Sequence, residues 1–191
     1  MENNQWEKSV AGQKQSAKVI NIFGGPGLGK STTALGVTYY LKMRGFRAEA
    51  PEEYAKSVTW DKNIAKLEDQ LYIVANQNRR LWRLKEQIDW IVSDSPLLLG
   101  IHYVPPDYFP QFYKKFIFEV WNHYENINFL LERTVPYDPV GRNQTEEEAK
   151  HIDQGIITML EEENVEFTKI SGPRYKGDTI SVDLIRQALG I

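Results

Sequence analysis

Hydrophobic residues along the chain follow two different periods. Short apolar runs, typical of buried strands, alternate with longer segments in which apolar residues recur every three or four positions, as in amphipathic helices. The runs predict five strands, at residues 18–23, 46–50, 90–93, 128–131 and 165–170. Because helical segments lie between them, the pattern favours an α/β fold with a mainly parallel sheet covered by helices.

The helical segments also predict how the chain is organised. Their apolar spacing indicates helices at about 31–43, 61–87, 111–124, 145–162 and 182–189. The fourth of these opens with a capping box, because Thr145 and Glu148 have the spacing at which each side chain accepts a free backbone N–H. Residues 1–17 are polar and lack the apolar stretch of a signal peptide, so we expect a flexible extension before a single domain at 18–191.

The segment between the first strand and the first helix carries the strongest motif. Residues 24–31 read Gly-Gly-Pro-Gly-Leu-Gly-Lys-Ser, a complete G-x-x-x-x-G-K-[ST] phosphate loop in its strand–loop–helix context. Glycines let backbone N–H groups approach phosphates at the positive end of the helix dipole. We predict an ATP or GTP site in which Lys30 contacts the β- and γ-phosphates and the Ser31 hydroxyl binds Mg²⁺. The predicted nucleotide-binding residues are Gly24, Gly25, Pro26, Gly27, Leu28, Gly29, Lys30, Ser31 and Thr32.

Composition limits the partners that such a site can have. The chain has 191 residues, of which 41% are hydrophobic and 26% charged, as expected for a globular domain with one core. No apolar run approaches the roughly 18 residues of a membrane span, so we expect no membrane partner. The sequence contains no cysteine, which excludes disulfides and fits a cytoplasmic location. A net charge of −3 argues against attraction of nucleic acid by the whole surface, although it is compatible with a local basic groove.

An aspartate directly follows the third predicted strand. In a phosphate-loop fold an acid at this position can hold Mg²⁺, directly or through water, or accept a proton from a substrate hydroxyl. Asp94 could instead be an ordinary turn residue, because Asp-Ser-Pro is also a turn sequence. With the phosphate loop upstream, we favour the functional interpretation. Asp89 precedes the same strand, so we predict that it is only a solvated turn residue.

Two further acids follow the second predicted strand. Ligands of open α/β sheets collect at the carboxyl ends of the strands, so Glu52 and Glu53 could face the nucleotide. A carboxylate near the γ-phosphate could activate an acceptor hydroxyl, and we favour Glu53 for this role. Acids in the first turn of a helix, where the dipole stabilises them, are the alternative interpretation.

A polar, proline-bearing loop at 132–144 follows the fourth predicted strand. Phosphoryl transfer needs cations around the charge that spreads over the transferred group. The loop carries Arg133 and Arg142 near its two ends, and a loop that closes would also exclude water. We predict a lid in which one or both arginines are catalytic. Solvent-exposed arginines are the alternative.

The long helical segment carries a glutamine among apolar residues and several arginines. Gln77 shares a face with Val74 and Leu81, and a buried glutamine needs hydrogen-bond partners that the edge of a substrate base could supply. Arg80 or Arg83 could contact a phosphate oxygen. A solvated basic face and a glutamine at a helix–helix edge explain the same pattern equally well.

Four segments together resemble the P-loop nucleoside and nucleotide kinases, in particular small kinase-like ATPases of bacteriophages and their nicotinamide-riboside-kinase-like relatives. The phosphate-loop segment is specific to nucleotide binding generally, whereas the last two segments look specific to the phage group. The four lie at 19–33, 53–56 (Glu-Tyr-Ala-Lys), 93–99 (Ser-Asp-Ser-Pro-Leu-Leu-Leu) and 136–149 (Pro-Tyr-Asp-Pro-Val-Gly-Arg-Asn-Gln-Thr-Glu-Glu-Glu-Ala).

The resemblance implies a fold and further site residues. It implies a P-loop NTPase of nucleotide-kinase type, with strand order 2-3-1-4-5 and a lid between the fourth strand and the next helix. It also implies that the loop at 171–178 packs against adenine, which makes Pro173 and Arg174 candidate nucleotide contacts. The acceptor is expected along 53–56 and 77–83, with Tyr54 among its contacts.

The resemblance also implies a function. The chain looks like an ATP- and Mg²⁺-dependent kinase that transfers the γ-phosphate to a hydroxyl or phosphate of a nucleoside-like acceptor. Similar phage kinases phosphorylate 5-hydroxymethyluracil bases within DNA, so a modified DNA base is one possible acceptor. The alternative is a P-loop ATPase, a switch or motor that transfers the phosphate to water. Nothing in the sequence indicates a protein partner.

Overall fold

The computed structural model describes residues 16–105, 108, 110–134, 137–138, 144–171 and 180–191. Its strands are β1 (Lys18–Phe23), β2 (Ala48–Glu49), β3 (Trp90–Ser93), β4 (Glu125–Leu131) and β5 (Thr168–Ile170). Its helices, within the same ranges, are α1 (Lys30–Met43), α2 (Tyr54–Trp60), α3 (Ile64–Glu68), α4 (Gln70–Trp82), α5 (Leu99–His102), α6 (Pro110–Trp121), α7 (Glu146–Glu162) and α8 (Ile180–Leu189).

The strands form one parallel sheet in the order β2-β3-β1-β4-β5, as predicted. Strand β1 lies at the centre, where Asn21 pairs with Ser93 of β3 on one side and Asn128 of β4 on the other. All carboxyl ends therefore meet at the same edge of the sheet. The phosphate loop after β1 and Asp94 after β3 both lie at that edge.

Alternate residues of the central strand pack into two separate cores. Val19 and Phe23 belong to the core that α4 to α7 cover, together with Ile117 and Ile156. Ile20 and Ile22 belong to the core beneath α1 and α8, which includes Val37 and Ile185. Because β1 is buried on both faces, its sequence is mostly apolar rather than alternating. The buried Asn21 is the exception, and its side chain donates to Asn126 and Asn128.

The single helix predicted at 61–87 is wrong, because two helices, α3 and α4, lie within that segment and α4 ends at Trp82. Lys62 has a φ of 54°, which is incompatible with a continuing helix. The side chains of Asn63 and Asp69 then accept the backbone N–H groups of Lys66 and Tyr72, and so begin α3 and α4. These polar residues are start signals inside a segment that apolar spacing alone made look continuous.

The chain entering the sheet is tied down one residue before β1. The Ala17 N–H donates to the Lys85 carbonyl over 2.6 Å, and Ala17 is fully buried. The rest of the predicted extension, residues 1–15, lies outside the described residues. Among the helices that are described, none is long and apolar enough to cross a membrane.

Candidate active site

The phosphate loop leaves β1 and ends at the first turn of α1. Gly29 precedes that helix in a left-handed conformation, with no side-chain cap and no acid in the first turn. A helix start presents backbone N–H groups and the positive end of the helix dipole, an arrangement that suits an anion. The Lys30 Nζ donates to the Gly25 carbonyl over 2.9 Å, so the ammonium group lies across the loop.

An ion pair from two other elements holds the first half of this loop. Asp153 of α7 accepts the Gly25 N–H at 2.8 Å through Oδ1, and its Oδ2 lies 2.6 Å from Arg133 Nε. Arg133, which follows β4, also donates from Nη2 to the Pro26 carbonyl at 2.8 Å. The two side chains are only 11% and 17% exposed, so solvent screens the pair weakly. We call Arg133 and Asp153 the loop clamp.

Two glycines of the loop allow this close packing. A Cβ at Gly25 would lie 2.2 Å from Asp153 Oδ1, and one at Gly27 would lie 3.0 Å from the Tyr137 ring. Gly27 also has a φ of 85°, which other residues adopt only with strain. The glycines are therefore required by the clamp and the overlying tyrosine as well as by phosphate binding.

The clamp changes the interpretation of Arg133. The sequence suggested a lid arginine, whereas its guanidinium is bound to Asp153 and Pro26 beneath the loop. Its Nη1 is buried without a partner among the described residues. Asp153 was missed by sequence reasoning, although an acid on the same helix face as Ala149 and Ile156 was a usable signal. The other predicted lid arginine, Arg142, lies outside the described residues, as does the nucleotide candidate Arg174 together with Pro173.

We expect Asp153→Ala to weaken both the fold and ATP binding. The change removes the acceptor of the Gly25 N–H and leaves the Arg133 cation buried without its counter-charge, which costs about 3–5 kcal/mol in comparable cases. Chemical denaturation and ATP titration should show a large loss of stability and about a tenfold loss of affinity, the latter equivalent to about 1.4 kcal/mol. Exposed Glu162 on the same helix offers the control Glu162→Ala. Unchanged stability and affinity in Asp153→Ala would show that the clamp is dispensable.

Asp94 is a buried carboxylate at the carboxyl end of β3. It is 7% exposed, and it has no hydrogen-bond or ion-pair partner among the described residues. With no counter-charge beside it among the described residues, this carboxylate fits a cation ligand. Helix α1, which begins with Lys30 and Ser31, packs against β3. The described residues contain no cluster of three or more His, Cys, Asp or Glu side chains that could hold a metal ion.

Asp89 lies at the other end of the same strand and has a structural role. Its carboxylate accepts the Arg47 backbone N–H at 2.8 Å and pairs with the Arg47 guanidinium at 2.7 Å. The side-chain hydrogen bond from Arg47 is the main cause that lowers the pKa of Asp89. The residue is therefore a paired surface acid, remote from the loop edge of the sheet.

A cavity of about 550 Å³ extends from the phosphate loop toward α2, α3 and α4. Its loop end is lined by residues 26–32 and its far end by a mixture of apolar and polar side chains. The far-end residues include Glu53, Lys56, Leu67, Gln70, Ile73, Val74, Gln77, Leu97, Leu99 and Tyr103. One cavity thus contains a phosphate-binding motif and room for a second group.

Not all predicted acceptor residues face this cavity. Glu53 and Gln77 line it, whereas Tyr54, Arg80 and Arg83 do not. The Tyr54 hydroxyl contacts that of Tyr72, and the Arg80 guanidinium lies 5.2 Å from the Tyr54 ring centroid. Arg80 Nη1 also donates to the Glu52 carbonyl at 2.6 Å, so Arg80 supports the segment before α2.

The side chains of Arg83 and Glu52 point to solvent. Arg83 is the exposed C-cap of α4. Glu52 accepts a hydrogen bond from Ser57 and its side chain is 74% exposed. Of the paired acids after β2, only Glu53 lies at the cavity.

Tyr103 is a cavity residue that the sequence did not indicate. Burial is the main cause that raises its pKa, and the negative charges of Glu53 and Asp153 raise it further. The phenol is therefore protonated at neutral pH, and the residue keeps 38% of its surface exposed to solvent. Its position after the short helix α5 has no pattern that would have marked it.

The fold and the loop define a P-loop protein of nucleotide-kinase type. Solved structures with this fold include NadR in complex with NR (TM-score 0.68, 17% identity, 92% of this chain, 52% of that chain). NadR in complex with NAD and AMP-PNP is also similar (TM-score 0.65, 14% identity, 92% of this chain and 50% of that chain). So is deoxyadenosine kinase from M. mycoides with bound dATP (TM-score 0.57, 17% identity, 91% of this chain and 100% of that chain). The chain spans about half the length of the NadR chains it matches.

The family follows from the sequence match. The chain belongs to the AAA domain family, whose model matches residues 19–176. No curated protein matches the chain. At 14–17% identity the structural similarity establishes the fold alone.

Proposed function

We propose that this protein is an ATP- and Mg²⁺-dependent kinase that transfers the γ-phosphate to a hydroxyl or phosphate of a nucleoside-like acceptor. The observation that carries the proposal is the single cavity of about 550 Å³ that joins the phosphate loop to a second, mixed apolar and polar region. A kinase needs both regions in one space, because donor and acceptor must meet in line. The similar structures were solved in complex with NR, with NAD and AMP-PNP, and with dATP, which supports a nucleotide donor and a nucleoside-like acceptor.

Each residue has a role in this proposal. The loop N–H groups and Lys30 hold the triphosphate, and Ser31 with Asp94 would hold Mg²⁺. When bound, the ion supplies positive charge to the β- and γ-phosphate oxygens. Glu53 orients the acceptor hydroxyl and takes its proton as the new O–P bond forms and the bond to the ADP oxygen breaks. Asp94 is the alternative base.

The AAA domain match keeps an ATPase as the second candidate. An ATPase would transfer the phosphate to water, and the far end of the cavity would then bind no reacting group. A base within DNA is a more specific acceptor candidate. Such a base would have to be unstacked into the cavity at a cost of a few kcal/mol.

The test is to incubate the protein with ATP labelled at the γ-phosphate and a panel of acceptors. The panel contains nucleosides, nucleotides, plain DNA and DNA with 5-hydroxymethyluracil. We expect label in a nucleoside or nucleotide. Label in the modified DNA alone would assign the acceptor to a DNA base. Label only in inorganic phosphate would reject the kinase in favour of the ATPase.

A further inference from the structure

The last turn of α4 carries an exposed tryptophan between two arginines. Trp82 ends the helix with 51% of its surface exposed, Arg79 lies three residues before it, and Arg83 is the C-cap. The three side chains share one face, because residues three and four apart are neighbours on a helix. We call these residues, together with Lys85, the basic tryptophan patch. None of the four lines the cavity, so the proposed reaction gives this surface no role.

The contacts of Trp82 hold its ring in place without covering it. The rings of His123 and Tyr124, which follow α6, meet it at nearly right angles, with centroids 6.2 and 6.5 Å away. The Lys85 Nζ lies 4.9 Å from its centroid. Tyr124 is itself fixed, because its hydroxyl donates to Asn78 Oδ1 at 2.6 Å. The indole is therefore supported by packing while half of the residue stays open to solvent.

Local structure does not account for the two arginines. The guanidinium groups of Arg79 and Arg83 make no hydrogen bond or ion pair with the described residues. Like charges four residues apart destabilise a helix, since the two side chains are neighbours on its surface. The helix dipole favours cations at this end, but it does not require an exposed tryptophan between them.

The charge around the patch indicates the kind of ligand that it fits. Asp89 and Glu125, at the same end of the sheet, are paired with basic residues of their own. The exposed Glu86 and Glu119 set two negative charges against the three positive charges of the patch. Because the excess of positive charge is small, a ligand must use the open aromatic ring as well as the cations. A single strand of nucleic acid offers both unpaired flat bases and phosphates, whereas an acidic peptide offers charge alone.

We propose that the basic tryptophan patch binds single-stranded nucleic acid. One base stacks on the indole of Trp82, and Arg79 and Arg83 contact phosphates of the same strand. A single strand is favoured over a duplex because its bases can leave the stack and lie on the ring. The patch lies outside the cavity, so this inference goes beyond the proposed function and does not depend on it.

The test measures binding without ATP, by fluorescence anisotropy of a labelled oligothymidylate of about 20 nucleotides, longer than the sites of most single-strand binders. Trp82→Ala should weaken binding about tenfold, the usual loss when one base–aromatic stack is removed. Trp60 supplies the control Trp60→Ala, because it is also exposed at the end of a helix but has no basic residue in its last turn.

A second variant, Arg79→Gln with Arg83→Gln, tests the charges and serves if Trp82→Ala does not fold. It should lower the slope of log affinity against log salt concentration by about 1.4, since each phosphate contact to a single strand contributes about 0.7. Lys62→Gln with Lys66→Gln, which removes two exposed lysines between α2 and α4, is the matched control and should leave the slope unchanged.

Binding of the strand that weakens in both patch variants and in neither control would support the inference. No binding, or binding that the patch variants leave unchanged, would overturn it. Equal binding of polyglutamate that does not depend on Trp82 would also overturn it and would assign the patch to an acidic protein. Because neither ATP nor a nucleoside is present, failure of this experiment leaves the kinase proposal standing, and failure of phosphate transfer leaves the patch standing.

Discussion

Replacing Lys30 with alanine will reduce γ-phosphate transfer by about 10³-fold, the upper range for losing one preorganised charge from a transition-state site. Lys30 stands at the start of α1, and its ammonium group lies across the phosphate loop against the Gly25 carbonyl. In the proposed mechanism this cation stabilises the negative charge that develops on the β- and γ-phosphates. Initial rates with labelled ATP at saturating concentration measure the loss.

Lys42 supplies the matched control for this experiment. It lies in the last turn of the same helix, where its exposed side chain pairs with Glu49 at 2.9 Å. Lys42→Ala should keep full activity, since an exposed ion pair contributes about 0–1 kcal/mol to stability. Melting curves must show that both variants fold, because Lys30→Ala also removes a contact within the loop. A folded Lys30→Ala protein with wild-type rates would reject the site.

Asp94→Asn is expected to have the second largest effect, a loss of about 10²-fold or more in transfer rate. The asparagine has the same shape but lacks the charge that would hold Mg²⁺ or accept a proton. Because Asp94 is buried without a partner among the described residues, the same change should leave the free energy of unfolding equal or higher. Loss of activity without loss of stability distinguishes a functional residue from a structural one.

Asp89→Asn is the control for this second prediction. It changes an aspartate at the opposite end of β3, where the partner is the exposed Arg47. We expect a small loss of stability and an unchanged transfer rate. Mg²⁺ titrations of both variants add a second measurement, in which only Asp94→Asn should require more metal. Equal and small effects of the two substitutions on rate would remove Asp94 from the proposed site.

The sheet could be predicted from the sequence because its central strands are buried on both faces. β1 and β3 have the predicted bounds, 18–23 and 90–93, because turn-forming residues directly follow each mostly apolar run. The edge strand β2 is two residues long instead of five, because only Ala48 and Glu49 pair with β3. The prediction of one helix at 61–87 was wrong for a local reason, because Asn63 and Asp69 cap new helices within an apolar pattern.

In the candidate site too, features set by one local segment could be predicted, whereas features set by contacts between distant segments could not. The phosphate loop is one short segment, so its residues could be predicted together. The loop clamp joins Gly25 to a residue 128 positions later, and such a contact depends on how α7 packs against the sheet. Tyr54, Arg80 and Arg83 were predicted to contact the acceptor, but the sequence does not show which faces of α2 and α4 line the cavity. Likewise, only the fold brings the Gln77 side chain to the Tyr54 backbone N–H that it accepts.

The most direct test of the central claim, that one cavity joins a donor site to an acceptor site, is a single-turnover measurement. The protein is mixed with a substoichiometric amount of γ-labelled ATP, with and without the best acceptor of the panel, and the label is followed in both products. We predict that the acceptor increases the rate of ATP consumption and receives the label. Release of inorganic phosphate at the same rate with and without every acceptor would contradict the account.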